Sequence, residues 1–267
     1  MWRSTATTGA DLAIAVTPDL ARVRRYEAAG FRAWPAASVH YDGTWVIRLT
    51  LDHPAKRLNS VNPLDPGDIT DLDERVVRAA RRFQANGQIL TFRLSPLSGS
   101  VLDGHFDHLG WSRFSESIVM RLPLTNLTVD IEQVLPPVED RASFIAQAAM
   151  VHDADPAYLA GLAELLGRIQ PHLGLFVLES SKGPLASAIS VHDNDLAGIF
   201  EVATSLNHRG QGHARRLLLA MLNWSKSRGA REVWLQVEAD NLPACALYRS
   251  FGFKEVYRYH YRRPPAV

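Results

Sequence analysis

The stretch IFEVATSLNHRGQGHARRLLLAML (199–222) carries the reading of this chain. An apolar, β-prone run leads into a short loop, and the loop leads into a helix whose Ala214, Leu218 and Met221, with Trp224 or Ser225 beyond, form one face for a sheet. The loop holds Gly210 and Gly212 with Arg209 beside them. A helix N-terminus offers unpaired N–H groups and the positive end of the dipole, and together these bind phosphate. Glycine lets an anion approach the backbone because it has no Cβ. Arg209, Arg215 and Arg216 add charge-assisted contacts. A Walker loop is excluded, since no Gly-Lys-Ser/Thr follows at the required spacing, and a Rossmann turn is excluded because Gly-x-Gly-x-x-Gly is absent. Taken alone, the loop reads equally as a glycine-containing helix start with exposed arginines. Its flanks decide between the two.

Working outward, the second half reads as a regular alternation. SFIAQAAMVHD (143–153) and PAYLAGLAELLGRI (156–169) are amphipathic helices, the second with Leu159, Leu162, Leu166 and Ile169 on one face. LGLFVLES, LASAISV and LAGIFEVAT are three strands separated by the turns SKGP and HDND, which is the pattern of consecutive antiparallel hairpins. After the loop and its helix come Gly229, the strand REVWLQVEA, a helix in NLPACALYRSF capped by Asn241 with Pro243 in its first turn, and the strand FKEVYRYHY.

The first half repeats this order with little residue identity. The helix DLARVRRYEAAGF is expected to end at Gly30, and the strands GTWVIRLTL (43–51) and RLNSVNP (57–63) follow as neighbours. A helix begins with Asp71 and Glu74 as a capping box, carries Leu72, Val76, Ala79 and Phe83 on one face and stops at Gly87. QILTFRL is a strand, SVLDGHFDHLG a short helix and SESIVMRLPL a strand, while VDIEQVLPPVED crosses into the second half as strand and turn. The expected architecture is α+β, in two similar domains over residues 1–125 and 126–267, each a mixed, mostly antiparallel sheet flanked by helices.

Composition narrows the function classes. The 267 residues are 46% hydrophobic with a net charge of +1, so no global field draws the chain to nucleic acid or anionic lipid. One cysteine, Cys245, excludes an internal disulfide and a cysteine-based metal cluster. Asp11 interrupts the N-terminal STATTGADLAIAV, leaving an apolar stretch too short for a signal segment, and no run is long enough to span a bilayer. A cytoplasmic protein without a metal is expected. HDADP (152–156) and HFDH (105–108) set His beside Asp without a converging third ligand, and read as helix caps and surface positions. Trp45, Trp111 and Trp234 read as core, and Cys245 as a small packing residue.

Two spaced blocks in this order resemble the GCN5-related N-acetyltransferase (GNAT) superfamily. Arg209-x-x-Gly212-x-Ala214 is similar to the family's pyrophosphate loop, and VWLQVEADNLPACALYRSFGF (233–253) is similar to its later strand, Asn, Tyr-bearing helix and Gly-Phe, most of all as seen in ribosomal-protein alanine N-acetyltransferases. The resemblance covers about residues 126–267 and implies acetyl-CoA as cosubstrate and an amine as acceptor. It implies that the backbone of Val202, Ala203 and Thr204 meets the pantetheine arm and that Arg209, Gly210, Gln211, Gly212, His213, Ala214 and Arg215 meet the pyrophosphate. It further implies that Asn241 contacts the CoA and that Tyr248 is the general acid.

Direct transfer to a primary amine needs an oxyanion donor, for which a strand N–H near Val202 serves, and a proton for the thiolate, for which a neutral Tyr248 serves. It also needs a base. The alanine acetyltransferases carry Glu where this chain has Gln236; Glu238, on the same strand face, and Glu201, on the preceding strand, are the alternatives, each acting through water. The same missing Glu favours a competing reading, a non-catalytic acyl-CoA-binding or sensing protein. GTWVIRLTL and KRLNSVNPL followed by a helix make the first half resemble the N-terminal half of tandem bacterial GNAT proteins in degenerate form: NPLDPGDITDLDERV places acids where the loop would be, and acids at a helix N-terminus compete with phosphate, so no acetyl-CoA is expected there.

Overall fold

A computed structural model describes residues 19–51, 53–125, 135–154 and 156–265. The first half runs α1 (Leu20–Ala33), β1 (Ser38–Asp42), β2 (Trp45–Leu49), β3 (Ser60–Pro63), α2 (Leu72–Ala85), β4 (Phe92–Leu94), α3 (Gly99–His108) and β5 (Ser112–Pro123). The second runs α4 (Arg141–His152), α5 (Pro156–Arg168), β6 (His172–Ser180), β7 (Gly183–Asp193), β8 (Leu196–Thr204), α6 (His213–Ser227), β9 (Glu232–Glu238), α7 (Leu242–Ser250) and β10 (Lys254–Arg263). The mixed α/β class expected from the alternating pattern is what is found.

All ten described strands form one sheet in the order β1-β2-β3-β4-β10-β5-β9-β8-β7-β6. The order reads alike from both ends. Each half contributes three antiparallel strands and then a parallel pair, β3/β4 or β8/β9. A helix lies between the strands of each parallel pair in sequence, as a parallel crossover requires: α2 in the first half and α6 in the second. The last strand of each half sits in the other half. β5 pairs with β9, β10 pairs with β4, and β5 and β10 pair with each other at the centre. Neither half therefore closes its sheet alone.

The helices cover both faces. α1, α4 and α5 share one core with Val119, Tyr257, Tyr259 and Trp234, which join strands of both halves. α6 and α7 pack through Leu218, Met221, Cys245 and Tyr248 onto β7, β8 and β9, while α2 and α3 pack through Ala79, Phe83, Leu102 and Phe106 onto β2, β3 and β4. α1 is tied across the exchanged strands by a buried network. Arg93 of β4 makes a two-pronged ion pair with Glu27 of α1, and Tyr257 of β10 donates to the same carboxylate at 2.6 Å. Removing one partner from such a network leaves a buried charge uncompensated.

Several local expectations are corrected. α1 runs through Gly30, where a Cβ would lie 3.4 Å from the Trp234 ring, so this glycine serves close helix–strand approach and not termination. Asp71 takes a left-handed conformation (φ 51°) and makes no side-chain cap, so the capping box does not form. β1, whose residues alternate between half-buried and exposed at the sheet edge, lacks the apolar stripe that marks a strand. The strand of QILTFRL is confined to Phe92–Leu94. The strand expected in VDIEQV lies outside the described residues.

Candidate active site

The C-terminal end of β8 is deformed by a bulge. Ser187 faces Ala203 and Ile189 faces Phe200, so Glu201 and Val202 together oppose Ala188 alone, and Glu201 has φ 50°. A bulge removes a residue from the ladder and bends the strand. Parallel pairing of β8 with β9 also stops at Ile199 and Leu235, while Gln236, Val237 and Glu238 remain paired with β5. Beyond that point β8 and β9 separate, and the backbone of Val202 to Thr204 faces a gap.

That gap opens into a cavity of about 760 Å³. Its walls are Val202, Ala203 and Thr204 from β8, Arg209, Gly210, Gly212, His213, Ala214 and Arg215 from the loop and first turn of α6, and Asn241 and Tyr248 at the two ends of α7. These are all the cofactor-side residues expected from sequence except Gln211, which is exposed and does not line it. Gly210 (φ 75°) and Gly212 (φ 81°), the latter capping α6, have open space where a Cβ would stand, so backbone conformation rather than crowding demands glycine. Arg215 is held by the Phe251 ring at 4.7 Å and by Ser250 at 3.4 Å. Asn241 caps α7 by accepting from the Ala244 N–H at 3.2 Å. Tyr248 is 7% exposed, and burial, with Cys245 second, pushes its pKa up to about 12, so it keeps its proton at neutral pH. The glycines, arginines and helix terminus suit a polyanion.

The two carboxylates considered as bases lie elsewhere. Glu201 accepts from Arg57 at 2.8 Å and from the Tyr158 hydroxyl at 2.7 Å. Glu238 is exposed and stands 3.5 Å from the Lys56 ammonium. Gln236 accepts from the Tyr259 hydroxyl at 2.9 Å. Glu238, Gln236, Lys56, Arg57 and Tyr259 line a second cavity of about 220 Å³ between the halves, with no residue in common with the larger one.

His152, His208, Pro243, Ala244 and Leu247 also line the larger cavity and carry no local sequence signal. His152 corrects the expectation for HDADP. Asp153 does end α4 in a left-handed conformation, but His152 turns into the cavity with its ring 5.6 Å from Tyr158, and burial lowers its pKa. Among the described residues no group of three or more His, Cys, Asp or Glu side chains is placed to hold a metal, and no helix is long and apolar enough to cross a membrane.

The corresponding place in the first half is closed by the chain itself. Before α2, the Asp68 carboxylate accepts from Arg75 at 2.7 and 2.9 Å and from the N–H and hydroxyl of Thr44 at 2.8 and 2.7 Å. The Arg75 guanidinium is the main cause that lowers the Asp68 pKa to about 2.

Residues 133–253, which contain the bulge, the glycine loop and α7, match the acetyltransferase (GNAT) family. The resemblance to the GNAT family expected from the two motifs is therefore found over this part of the chain. That family uses acetyl-CoA as cosubstrate. The uncharacterized N-acetyltransferase YobR of Bacillus subtilis is 25% identical over 246 residues, spanning 90% of this chain and 98% of its own. The ribosomal protein bS18-alanine N-acetyltransferase of Escherichia coli K12 is 36% identical over 80 residues, 30% of this chain and 54% of that protein. A solved tandem GNAT protein from the clavulanic acid biosynthesis pathway shares the fold with a TM-score of 0.61 and 13% identity, over 90% of this chain and 88% of that one. The likeness to both the tandem form and the alanine acetyltransferases expected from the motifs is found.

Proposed function

We propose that the protein transfers the acetyl group of acetyl-CoA to a primary amine on a small molecule or peptide, by direct attack in a ternary complex. The observation that carries this reading is the placement of the β8 bulge, the Gly210–Gly212 loop and Tyr248 on one cavity. The pyrophosphate meets Arg209 and the backbone of residues 210–215, and the thioester arm lies along Val202 to Thr204. The amine nitrogen bonds to the thioester carbon, the carbonyl oxygen takes the negative charge beside the bulge N–H groups, and the carbon–sulfur bond breaks. The sulfur receives the Tyr248 hydroxyl proton. Tyr248 is the right donor because burial keeps it protonated, and α7 sets it in the cavity wall. The ammonium loses one proton before attack, through water toward Glu201 or Glu238, and the second, released from nitrogen as the amide forms, restores the Tyr248 hydroxyl.

Acetyl-CoA sits in the second half alone in this reading, and the first half shapes the acceptor side through Lys56 and Arg57. A binding-only role is favoured by one feature, Gln236 in place of a carboxylate, together with the engagement of Glu201 by Arg57 and Tyr158. Free-thiol release from acetyl-CoA over amino acids, polyamines, aminoglycosides and N-terminal peptides separates the two. Amine-dependent thiol is expected. Calorimetric binding of acetyl-CoA with no thiol from any amine would leave the binding-only role.

A further inference from the structure

The 220 Å³ cavity between the halves shares Arg57 and Gln236 with a narrow cleft of about 10 Å³. Phe200, the residue before the β8 bulge, also lines the cleft. Three arginines, Arg48, Arg57 and Arg93, line the cleft together with Glu27. Two of them have carboxylate partners: Arg93 is paired with Glu27, and Arg57 with Glu201. Arg48 has none within ion-pair distance among the described residues. Its guanidinium donates to the main-chain oxygens of Trp34 and Arg57, and the residue is 3% exposed.

A buried cation without a counter-charge is costly. Burial, with the Arg93 cation second, draws the Arg48 pKa down to about 9. In the wall of the cavity Lys56 donates to Ser115 at 2.7 Å and has its ammonium 5.5 Å from the centre of the Tyr261 ring. Its carboxylate neighbour, Glu238, is 3.5 Å away and largely in solvent, where an ion pair contributes little. The cavity and its adjoining cleft thus hold a positive surplus that the chain does not neutralise.

We propose that this cavity recognises an anionic group on the acceptor, with Lys56 in its wall and the buried Arg48 charge of the adjoining cleft behind it selecting an amine that also bears a carboxylate or a phosphate. The proposal rests on the acetyl-transfer reading. Glu238, in the same wall, faces the acceptor's ammonium, so the site is complementary to a molecule of both charges. Arg48 and Lys56 come from the first half, which makes the half without an acetyl-CoA loop the one that sets specificity.

Matched amines that differ only in the anion test this. α-Amino acids are compared with their amides, and glucosamine 6-phosphate with glucosamine, by free-thiol release from acetyl-CoA. The anionic member of at least one series is expected to have a kcat/KM higher by about tenfold or more, which corresponds to one well-placed charge contact of ~1.4 kcal/mol. The two series distinguish carboxylate from phosphate. Lys56→Met is expected to narrow the anionic-to-neutral ratio; Lys56 is only half-buried, so this variant avoids the folding cost of replacing buried Arg48. Equal rates within every pair, or faster turnover of the neutral members, overturn the proposal and leave acetyl transfer standing. An unchanged ratio in Lys56→Met removes Lys56 from recognition. No thiol release from any amine, by a chain that binds acetyl-CoA in calorimetry, overturns the transferase reading and this proposal with it.

Discussion

The loop before α2 and the loop before α6 occupy matching places in the two halves, each leading from a parallel strand into a crossover helix. The second carries two glycines with positive φ and open space beside them, and its arginines lie at the cavity wall. The first carries Asp68, whose carboxylate is bonded to Arg75 and to Thr44. Both solve the same problem, a crossover helix leaving a parallel strand, with opposite charge. One ends in backbone donors facing a cavity, and the other is occupied by an anion of its own chain. The shared fold therefore leaves the charge presented at the turn to the sequence, and an anion is favoured only where donors face it.

The comparison can be broken or sharpened in order of expected effect. Tyr248→Phe removes the proton donor from the second half, so kcat is expected to fall by about 10²–10⁴-fold, with acetyl-CoA affinity little changed. Turnover equal to wild type takes Tyr248 out of the chemistry. Gly212→Glu adds backbone strain of about 1–3 kcal/mol at φ 81° and a like charge facing the phosphates, and acetyl-CoA binding is expected to weaken at least tenfold. Equal calorimetric affinity would show that the loop is not the pyrophosphate site. Asp68→Asn in the first half is expected to cost about 1–3 kcal/mol of folding stability through its lost charge-assisted bonds. Acetyl-CoA should still bind as a single molecule per chain. A second equivalent in the variant or in wild type breaks the contrast between the halves.

The smallest effect is on pH dependence. His53, His152, His192, His213 and His260 are all held below their ordinary pKa of 6.5, with burial the first cause in each. The unfolded chain binds protons at these sites first as pH falls below 6.5, so the stability they contribute is full above that value. It is lost between 6.5 and the lower folded values. Thermal stability should decline from pH 7.5 to 5.5, well above the range where Asp68 titrates. A flat profile across that window would contradict the burial of these rings.

The second half was largely legible because its signals are local. Helical periodicity, the turns SKGP and HDND, and Asn241 with Pro243 all act over a few residues and match the observed elements. The first half was harder to read for a physical reason. β1 is an edge strand without an apolar stripe, β4 is only Phe92–Leu94, and Gly30 looks like a helix stop but serves packing against Trp234. Much of the larger cavity's wall coincides with the residues singled out from sequence, Gln211 excepted, since it is built from the end of β8, the loop into α6 and the helix α7. His152 was not among them, because its place depends on how α4 lies across the sheet.

By itself the sequence determined the strand–loop–helix that holds the glycines, the tyrosine of α7, the repeated order of elements and the acid-bearing turn that marks the first half as different. Each depends on chemistry within about one helix or turn. Tertiary structure alone decided that β5 and β10 are exchanged between the halves. It also decided that Glu201 is engaged by Arg57 and Tyr158, and that Arg48 sits buried, with no carboxylate within ion-pair distance among the described residues, in the cleft beside the cavity between the halves. Those facts join residues from opposite halves of the chain. Strand pairing and buried charge balance are settled by which surfaces meet, and local pattern holds no record of that.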